Sequence, residues 1–383
     1  MMATTATTRV RSRRRAPLRK NAREQTSVAR RLLFVAAFAT VLGVGCAKKS
    51  GPSSAGESAT INLTGAGSTF IYPAMTQWIS DYQKANPGVK INYQSIGSGG
   101  GIQQVKAGLV DFGASDAALS DDQLKTMPPV VQIPESSGPV CLTYNLPQMK
   151  NSLRLTPALV ADIYLGKIKR WNDPQIEKVN PGVHFPNEPI IVAHRAEGSG
   201  TTNIFTTYLS TVSPEWAKTV GHAISVDWPV GLGGKGNEGV TGLIQQNPGG
   251  FGYVELAYAL SNHLPTALLE NRAGKFVAPS AAGTTAAIAA FSASLDKDVR
   301  NPVVDARASA PDAYPICGFT YLIVPKNPKD AKKAQALAGF IRYILGEGQQ
   351  VAARLDYAPI PGSIAQLDQN LLDEAIGSGA KTP

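Results

Sequence analysis

One run of nine residues combines a basic side chain, hydroxyl groups and glycines in a way that suits anion binding. It spans residues 194–202, reads HRAEGSGTT, and lies between an apolar strand-like segment and the predicted start of a helix. A turn of this kind directs free backbone N–H groups and the positive end of a helix dipole at one point. Arg195 adds a permanently charged planar donor, while Ser199 and Thr201 add hydroxyls. The run predicts an anion site, although an ordinary capped helix start contains the same residue types.

Two further turns rich in glycine and serine have the same arrangement. Residues 64–70 (TGAGSTF) follow a strand-like segment at 60–63, and residues 96–101 (IGSGGG) follow the alternating segment 90–95. Both precede apolar residues at helical spacing. Each turn alone would more often be a plain strand-to-helix connection. Three of them in one chain predict that three helix N-termini converge on one anionic ligand.

A carboxylate stands beside these turns. Asp116 follows a strand predicted over 109–114, and Ser120 begins a helix predicted over 121–127. A carboxylate facing an anion would repel it strongly at low dielectric. The repulsion disappears when the ligand brings its own proton, because hydrogen phosphate donates an O–H whereas fully ionised sulfate does not. Asp116 is therefore either a cap of the next turn or a group that selects a protonated oxyanion.

Six ordered segments within residues 60–362 resemble the phosphate-binding proteins of the high-affinity bacterial phosphate ABC transporter. These segments are 64–70, 96–101, 111–116, 162–171, 195–201 and 228–237. The resemblance implies an α/β fold, the two-lobed type II fold of periplasmic binding proteins, with each lobe a sheet flanked by helices. The ligand would be inorganic phosphate, bound in the cleft between the lobes. The implied partners are the permease and ATPase subunits of an ABC importer, which would receive the phosphate.

The resemblance also implies which residues contact phosphate. They would be Thr69, Phe70, Ser98, Asp116, Arg195, Ser199, Gly200 and Thr201. Phe70 would contribute its backbone N–H. Glu197 would steady the guanidinium of Arg195, at a position where the family commonly has Asp. The resemblance implies no cofactor, no metal and no catalytic residue.

The first 45 residues have the composition of a signal peptide. Residues 1–31 hold ten Lys or Arg and one Glu, and residues 32–45 are uncharged and mainly apolar. This apolar part is too short to span a bilayer comfortably. The whole chain has 37 basic and 28 acidic residues, so that removing the leader leaves 27 of each. The mature chain is therefore formally neutral, and its composition gives no support to nucleic-acid binding.

Cys46, directly after this leader, resembles the lipid-modified cysteine of a bacterial lipoprotein. Gly43 stands where such proteins more usually have Leu. We expect residues 46–58 to form a flexible tether that holds the protein to a membrane on its extracytoplasmic face. The alternative is an unmodified cysteine near a conventional cleavage site.

About 325 residues follow the tether, too many for one ordinary core, which predicts two domains. Predicted strands and helices alternate, as in α/β proteins. Strands are expected near Ile61, Ile91, Val110, Leu142, Ile191, Tyr253 and Leu322, and helices near Met75, Val105, Leu159, Phe205, Leu243, Ile288, Leu337 and Leu371. By the resemblance, lobe I comprises residues 59–143 and 314–383, and lobe II residues 144–313. The two crossings would form a hinge.

Cys141 and Cys317 lie in the two strand-like runs where, by the resemblance, the chain leaves and re-enters lobe I. A disulfide is one option in an exported protein, and two buried free thiols are the other. The spacing of Cys and His does not suit zinc. Residues 231–237 are similar to a phosphate-binding P-loop only in part, because Gly236 stands where Ser or Thr is required. These residues instead predict a structural turn before a helix at 238–246.

Two other functions stay open. One keeps the fold and changes the ligand to another oxyanion of the sulfate or tungstate type, against which Asp116 argues. The other is a phosphatase with Ser199 or Asp116 as nucleophile, but this would need a neighbouring base or a metal, and the sequence shows neither. We therefore predict a monomeric binding protein rather than an enzyme.

Overall fold

The computed structural model of the protein describes residues 60–149 and 152–376. In chain order the elements are β1 (Ile61–Gly67), α1 (Tyr72–Ala85), β2 (Val89–Ser95), α2 (Ser98–Lys106), β3 (Phe112–Ser115), α3 (Asp121–Lys125), β4 (Val130–Tyr144), β5 (Arg154–Leu155), α4 (Pro157–Tyr164), α5 (Pro174–Val179), β6 (Ile191–Arg195), α6 (Gly200–Val212), α7 (Pro214–Thr219), β7 (Leu232–Gly234), α8 (Gly236–Gln246), β8 (Gly250–Glu255), α9 (Leu256–Ser261), β9 (Leu268–Glu270), β10 (Phe276–Val277), α10 (Ala281–Leu295), β11 (Val303–Val304), β12 (Ile316–Pro325), α11 (Ala331–Leu345), α12 (Gly348–Arg354) and α13 (Gly362–Ile376). The alternation gives the expected α/β class.

One long strand joins two groups of strands. The strands follow the order β2-β1-β3-β12-β4-β8-β6-β7, with β11 added beside β12. Strand β4 pairs with β12 over residues 130–139 and with β8 over residues 140–144. We call β2, β1, β3, β12 and the first part of β4 sheet one, and the second part of β4 with β8, β6 and β7 sheet two. Strands β10, β9 and β5 form a separate small sheet.

Strands β4 and β12 lack a clear alternation of apolar and polar residues because they are buried on both faces. Almost every residue of β4 and β12 is buried, since helices and neighbouring strands cover both faces. The largest fully buried side chains include Trp78, Phe112 and Phe251. Trp78 donates its indole N–H to the backbone oxygen of Gly348 at 2.7 Å, which ties α1 to α12.

All eight helix positions predicted from the sequence lie in observed helices, and six of the seven strand positions lie in strands. The strand predicted over 109–114 is wrong at its start, because β3 begins only at Phe112. The backbone N–H of Asp111 donates to the backbone oxygen of Thr64 at 2.8 Å. Its carboxylate, and not its backbone oxygen, accepts from the N–H of Thr64, at 2.7 Å, and pairs with Lys333 at 3.0 Å. Leu109 is 70% exposed, so its apolar side chain wrongly indicated a buried position in a strand.

Three further boundaries differ from expectation. Strand β1 runs on to Gly67 and so includes the first four residues of the first glycine-rich turn. This continuation depends on glycine, because a Cβ on Gly65 would clash with Phe112 and one on Gly67 would clash with Ala114. Helix α3 ends at Lys125 rather than at residue 127. Helix α8 begins at Gly236, two residues earlier than predicted.

Cys141 and Cys317 are both buried free thiols, so the structure favours the second of the two options for them. Within residues 60–149 and 152–376, no helix combines the length and apolar character needed to cross a bilayer. The predicted signal peptide, Cys46 and the tether lie outside the described residues.

Candidate functional site

The three glycine-rich turns meet at one place, because residues 96–101 bond both to Gly67 of the first turn and to Gly198 of the third. The backbone N–H of Gly99 donates to the backbone oxygen of Gly198 at 2.9 Å. Ser98, the first residue of α2, accepts at its hydroxyl from the N–H of Gly200 at 3.1 Å and from that of Asp116 at 3.2 Å. A glycine at position 97 is required, because its φ is +85° and a Cβ there would lie 2.9 Å from Gly198. The starts of α2 and α6 are thus in direct contact.

Arg195, at the end of β6, is nearly fully buried and is held by Glu197. Its Nε donates to Glu197 Oε1 at 3.1 Å, and its Nη2 contacts the same oxygen. That oxygen also accepts from the backbone N–H of Gly236 at 2.9 Å. The two guanidinium donors on one oxygen fix the plane of the guanidinium, and the bond from Gly236 holds that oxygen in place. Nη1 points to Thr201 Oγ1 at 3.4 Å.

Asp116, directly after β3, is a buried carboxylate surrounded by donors. Its Oδ1 accepts from the hydroxyl of Ser68, and its Oδ2 lies 3.4 Å from the hydroxyl of Thr201. Burial raises the pKa of Asp116 to about 6, and the bonds from Ser68 and the positive charge of Arg195 oppose that rise. Asp116 is therefore mostly ionised at pH 7 and offers an acceptor.

Two more buried carboxyl groups lie close enough to Asp116 to interact with it electrostatically. Burial raises the pKa of Glu135 well above its usual value, and the charge of Asp116 adds to the rise. The same two causes act on Glu255. Thr320 Oγ1 lies 3.2 Å from Glu135 Oε1, and Tyr357 Oη lies 3.0 Å from Glu255 Oε2. Burial thus favours the protonated, uncharged form of both glutamates.

The other residues expected at the site have partners as well. Thr69 Oγ1 accepts from Asn237, and the N–H of Phe70 donates to Ser68 Oγ at 3.0 Å. Ser199 caps α6 by accepting from the N–H of Thr202 at 3.1 Å. Its own N–H donates to the backbone oxygen of residue 224 at 2.7 Å. The turns thus bring all eight predicted contact residues into one hydrogen-bonded region.

Sequence reasoning missed three residues of this region. Ser68 lies inside the first turn but received no role. Asn237 belongs to the stretch interpreted as a structural turn, and its side chain donates to Thr69 Oγ1 at 2.8 Å. Tyr258 donates its hydroxyl to the backbone oxygen of Thr69 at 2.6 Å. The signal available for Asn237 was a fourth glycine-rich turn before a helix, the same feature that identified the other three.

A hydrolase would need a base beside Ser199 or a metal ion in the site. In the part of the chain that the structure describes, no group of three or more His, Cys, Asp or Glu could hold a metal ion. Ser199 Oγ makes no hydrogen bond to a carboxylate or imidazole of the described residues. The nearby His194 stacks on Trp228 with ring centroids 4.8 Å apart, and burial lowers its pKa. Its Nδ1 lies 3.0 Å from the backbone oxygen of Arg195.

Comparison with known proteins places the chain in a family. The PBP superfamily domain matches residues 52–347. The phosphate-binding protein PstS of Xylella fastidiosa (strain Temecula1) is 45% identical over 321 residues, which are 84% of this chain and 87% of that protein. PstS of Methanocaldococcus jannaschii is 39% identical over 345 residues, covering 85% of this chain and 89% of that protein.

The fold also matches a solved structure. The crystal structure of a phosphate binding protein from Stenotrophomonas maltophilia superposes with a TM-score of 0.61, at 19% sequence identity, and covers 81% of this chain and 94% of that one. This likeness confirms the predicted two-lobed α/β fold of type II periplasmic binding proteins. The extensive identity to the curated relatives shows that the chain belongs to the PstS family of phosphate-binding proteins.

Proposed function

We propose that this protein captures inorganic phosphate in the cleft between two lobes and delivers it to an ABC importer. The observation that carries the proposal is the buried carboxylate of Asp116 within a set of fixed donors. Arg195 and the starts of three helices supply those donors. A ligand that is an anion and also brings a hydrogen satisfies both kinds of group at once, and hydrogen phosphate is such a ligand. Membership of the PstS family supports the same ligand.

The contact residues proposed from the sequence remain the best candidates. They are Thr69, Phe70, Ser98, Asp116, Arg195, Ser199, Gly200 and Thr201, with Glu197 in support. Several of their donors now bond to neighbouring protein atoms at 3.1 to 3.4 Å. A phosphate between the lobes would replace these long contacts with shorter, charge-assisted ones.

We further propose the lobes predicted from the sequence, with lobe I at residues 59–143 and 314–383 and lobe II at residues 144–313. Strand β4 supports this division, since it changes its partner from β12 to β8 between Pro139 and Val140. Strand β11 belongs to lobe II in this division but pairs with β12 of lobe I. The segment in which the chain returns from lobe II to lobe I is therefore hydrogen-bonded to sheet one.

Sulfate or a tungstate-type oxyanion is the second candidate ligand, and the Asp116 carboxylate disfavours it. Fully ionised sulfate has no hydrogen to share with Asp116, and a bare contact between two anions in a closed cleft would cost several kcal/mol. Arsenate carries a proton near neutral pH as phosphate does, so we expect it to bind.

Binding without turnover separates this function from a phosphatase. The protein should retain one labelled phosphate per chain in equilibrium dialysis and should release no chromophore from a chromogenic phosphate ester. Sustained release of the chromophore, lost in Ser199→Ala, would favour the enzyme instead. We propose that the protein works as a monomer without a cofactor.

The signal peptide and Cys46 support an exported, lipid-anchored protein that meets the permease and ATPase subunits of the importer at a membrane. A lipoprotein cysteine that carries two or more acyl chains is stably anchored, whereas a single chain gives marginal binding. Cys46→Ser should release the protein in soluble form or leave the leader uncleaved, as judged by detergent phase separation. Wild-type protein that partitions into the aqueous phase would contradict the anchor.

A further inference from the structure

Asn237 of α8 reaches across the cleft to Thr69. Asn237 is fully buried, and its Nδ2 lies 2.8 Å from Thr69 Oγ1. Its backbone nitrogen lies 3.2 Å from the same oxygen. Thr69 belongs to the turn between β1 and α1 in sheet one, whereas α8 follows β7 in sheet two. One hydroxyl oxygen therefore faces two N–H groups of a single residue on the opposite side.

The orientation of the Asn237 amide follows from its other end. The backbone N–H of Glu255 donates to Asn237 Oδ1 at 3.1 Å. A backbone N–H can only donate, so the amide atom that faces it must be the carbonyl oxygen. The NH2 group must then face Thr69. Its second hydrogen points to Thr201 Oγ1 at 3.4 Å.

This arrangement leaves the Thr69 hydroxyl only one role. A hydroxyl oxygen has two lone pairs and one hydrogen, and the two N–H groups of Asn237 occupy both lone pairs. Among the described residues, no acceptor receives the hydrogen of Thr69. The hydroxyl can act toward a ligand only as a donor, which suits the oxygens of an anion such as phosphate.

We propose that Asn237 is a positioning residue that fixes the Thr69 hydroxyl as a donor to phosphate. The inference rests on the proposed function, because it assumes that the anion in the cleft is phosphate. The two bonds from Asn237 to Thr69 form only when α8 and the β1–α1 turn are in contact. Closure of the cleft therefore fixes the orientation of the Thr69 hydroxyl. Asn237 thereby couples closure of the cleft to the number of donors that the anion meets.

A double-mutant cycle tests this role. Phosphate affinity is measured by calorimetry for wild type, Asn237→Ala, Thr69→Val and the double variant. A hydrogen bond to a charged group contributes on the order of tenfold or more to affinity. If the Thr69 hydroxyl is no longer oriented toward phosphate, Kd should rise, so Asn237→Ala should raise Kd about tenfold in the wild-type background. In the Thr69→Val background it should raise Kd less than about twofold, because no hydroxyl is left to orient.

Thr69→Ser provides the rescue arm, since serine keeps the hydroxyl. Asn237→Ala should again raise Kd about tenfold in the Thr69→Ser background. Asn180→Ala is the matched control. That buried amide bonds to Arg154 and Ile176 instead of to the cleft, so its loss should lower stability and leave Kd unchanged. Should Asn237→Ala not fold, Asn237→Ser, whose side chain is too short to reach Thr69, takes its place in the cycle.

Equal losses of affinity in the valine and wild-type backgrounds would overturn the role of Asn237, as would no loss in either. Wild-type protein that binds no phosphate would instead overturn the proposed function itself. The two failures are distinguishable, because the wild-type titration is read before any variant is compared.

Discussion

Arg195 has donors to spare for a ligand. Of its five N–H groups, two reach Glu197 and one reaches Thr201, which leaves one hydrogen on each terminal nitrogen without an acceptor among the described residues. Because Glu197 already fixes the guanidinium, those hydrogens are directed before the ligand arrives. Little conformational entropy then remains to be lost on binding.

Arg195→Ala should nearly abolish phosphate binding. A desolvated anion that loses such a partner loses on the order of 2 to 5 kcal/mol of binding free energy. Arg195→Lys should restore only part of it, since an ammonium lacks the planar fork. Calorimetry checks both, with Arg272→Ala as the control, which removes an ion pair between an exposed guanidinium and the buried carboxylate of Asp305. Unchanged affinity in Arg195→Ala would show that this turn does not bind the anion.

Asp116→Asn should relax selectivity rather than abolish binding. The amide replaces part of the acceptor by a donor, so sulfate is no longer opposed by charge. The ratio of phosphate affinity to sulfate affinity should fall, even if phosphate affinity barely changes. Asp111→Asn, which alters a carboxylate bound to Thr64 and Lys333, should leave the ratio unchanged. An equal ratio in Asp116→Asn and wild type would mean that selectivity arises elsewhere.

At the level of elements, close contact of two helix starts sets the geometry of the cleft. A Cβ on Gly200 would lie 2.6 Å from Ser98 Oγ and 2.6 Å from the Asp116 side chain. Ser98 begins α2 and Asp116 follows β3, both beside sheet one, whereas Gly200 begins α6 beside sheet two. Opening the cleft relieves this clash without unfolding either group of strands.

Gly200→Ala should therefore weaken phosphate binding by at least about tenfold while the free energy of unfolding changes by less than about 1 kcal/mol. Small-angle scattering with phosphate should report a more open molecule than wild type. Gly242→Ala is the control, since a Cβ in the middle of α8 meets only the end of Gln246 at 3.9 Å. Wild-type affinity in Gly200→Ala would contradict the closed arrangement as the binding form.

The elements also show what the sequence could predict. The turns at 64–70, 96–101 and 194–202 share a strand before and a helix after, and this local pattern was enough to place them at one site. Asn237 was missed because its role depends on a partner 168 positions away in the chain. The start of β3 was misplaced because Asp111 is held by a distant lysine, a tertiary contact that leaves no mark on local periodicity.

At the level of the whole molecule, one buried acid on α13 makes stability depend on pH. Asp368 is fully buried, and neither of its carboxylate oxygens has a hydrogen-bond partner among the described residues. Burial raises its pKa to about 8. The native state then holds a proton that the unfolded chain releases near pH 4, so stability falls as the pH rises from about 4 to about 8.

Asp368→Asn should reduce the loss of folding stability that accompanies a rise in pH. The asparagine does not titrate, so the variant should lose less free energy of unfolding between pH 5 and pH 8 than wild type, by on the order of a few kcal/mol. Urea titrations of the phosphate-free protein at both pH values give the difference. Asp373→Asn, on an exposed side of the same helix, should leave the slope as it is. Equal slopes in Asp368→Asn and wild type would refute the role of Asp368.

The most direct measurement is a calorimetric titration of the mature wild-type protein with phosphate, repeated in an excess of sulfate. The account predicts one phosphate per chain, with an affinity and a stoichiometry that the sulfate leaves unchanged, because only a protonated oxyanion satisfies Asp116 and Arg195 together. Absence of phosphate binding, or displacement of phosphate by sulfate, would contradict it.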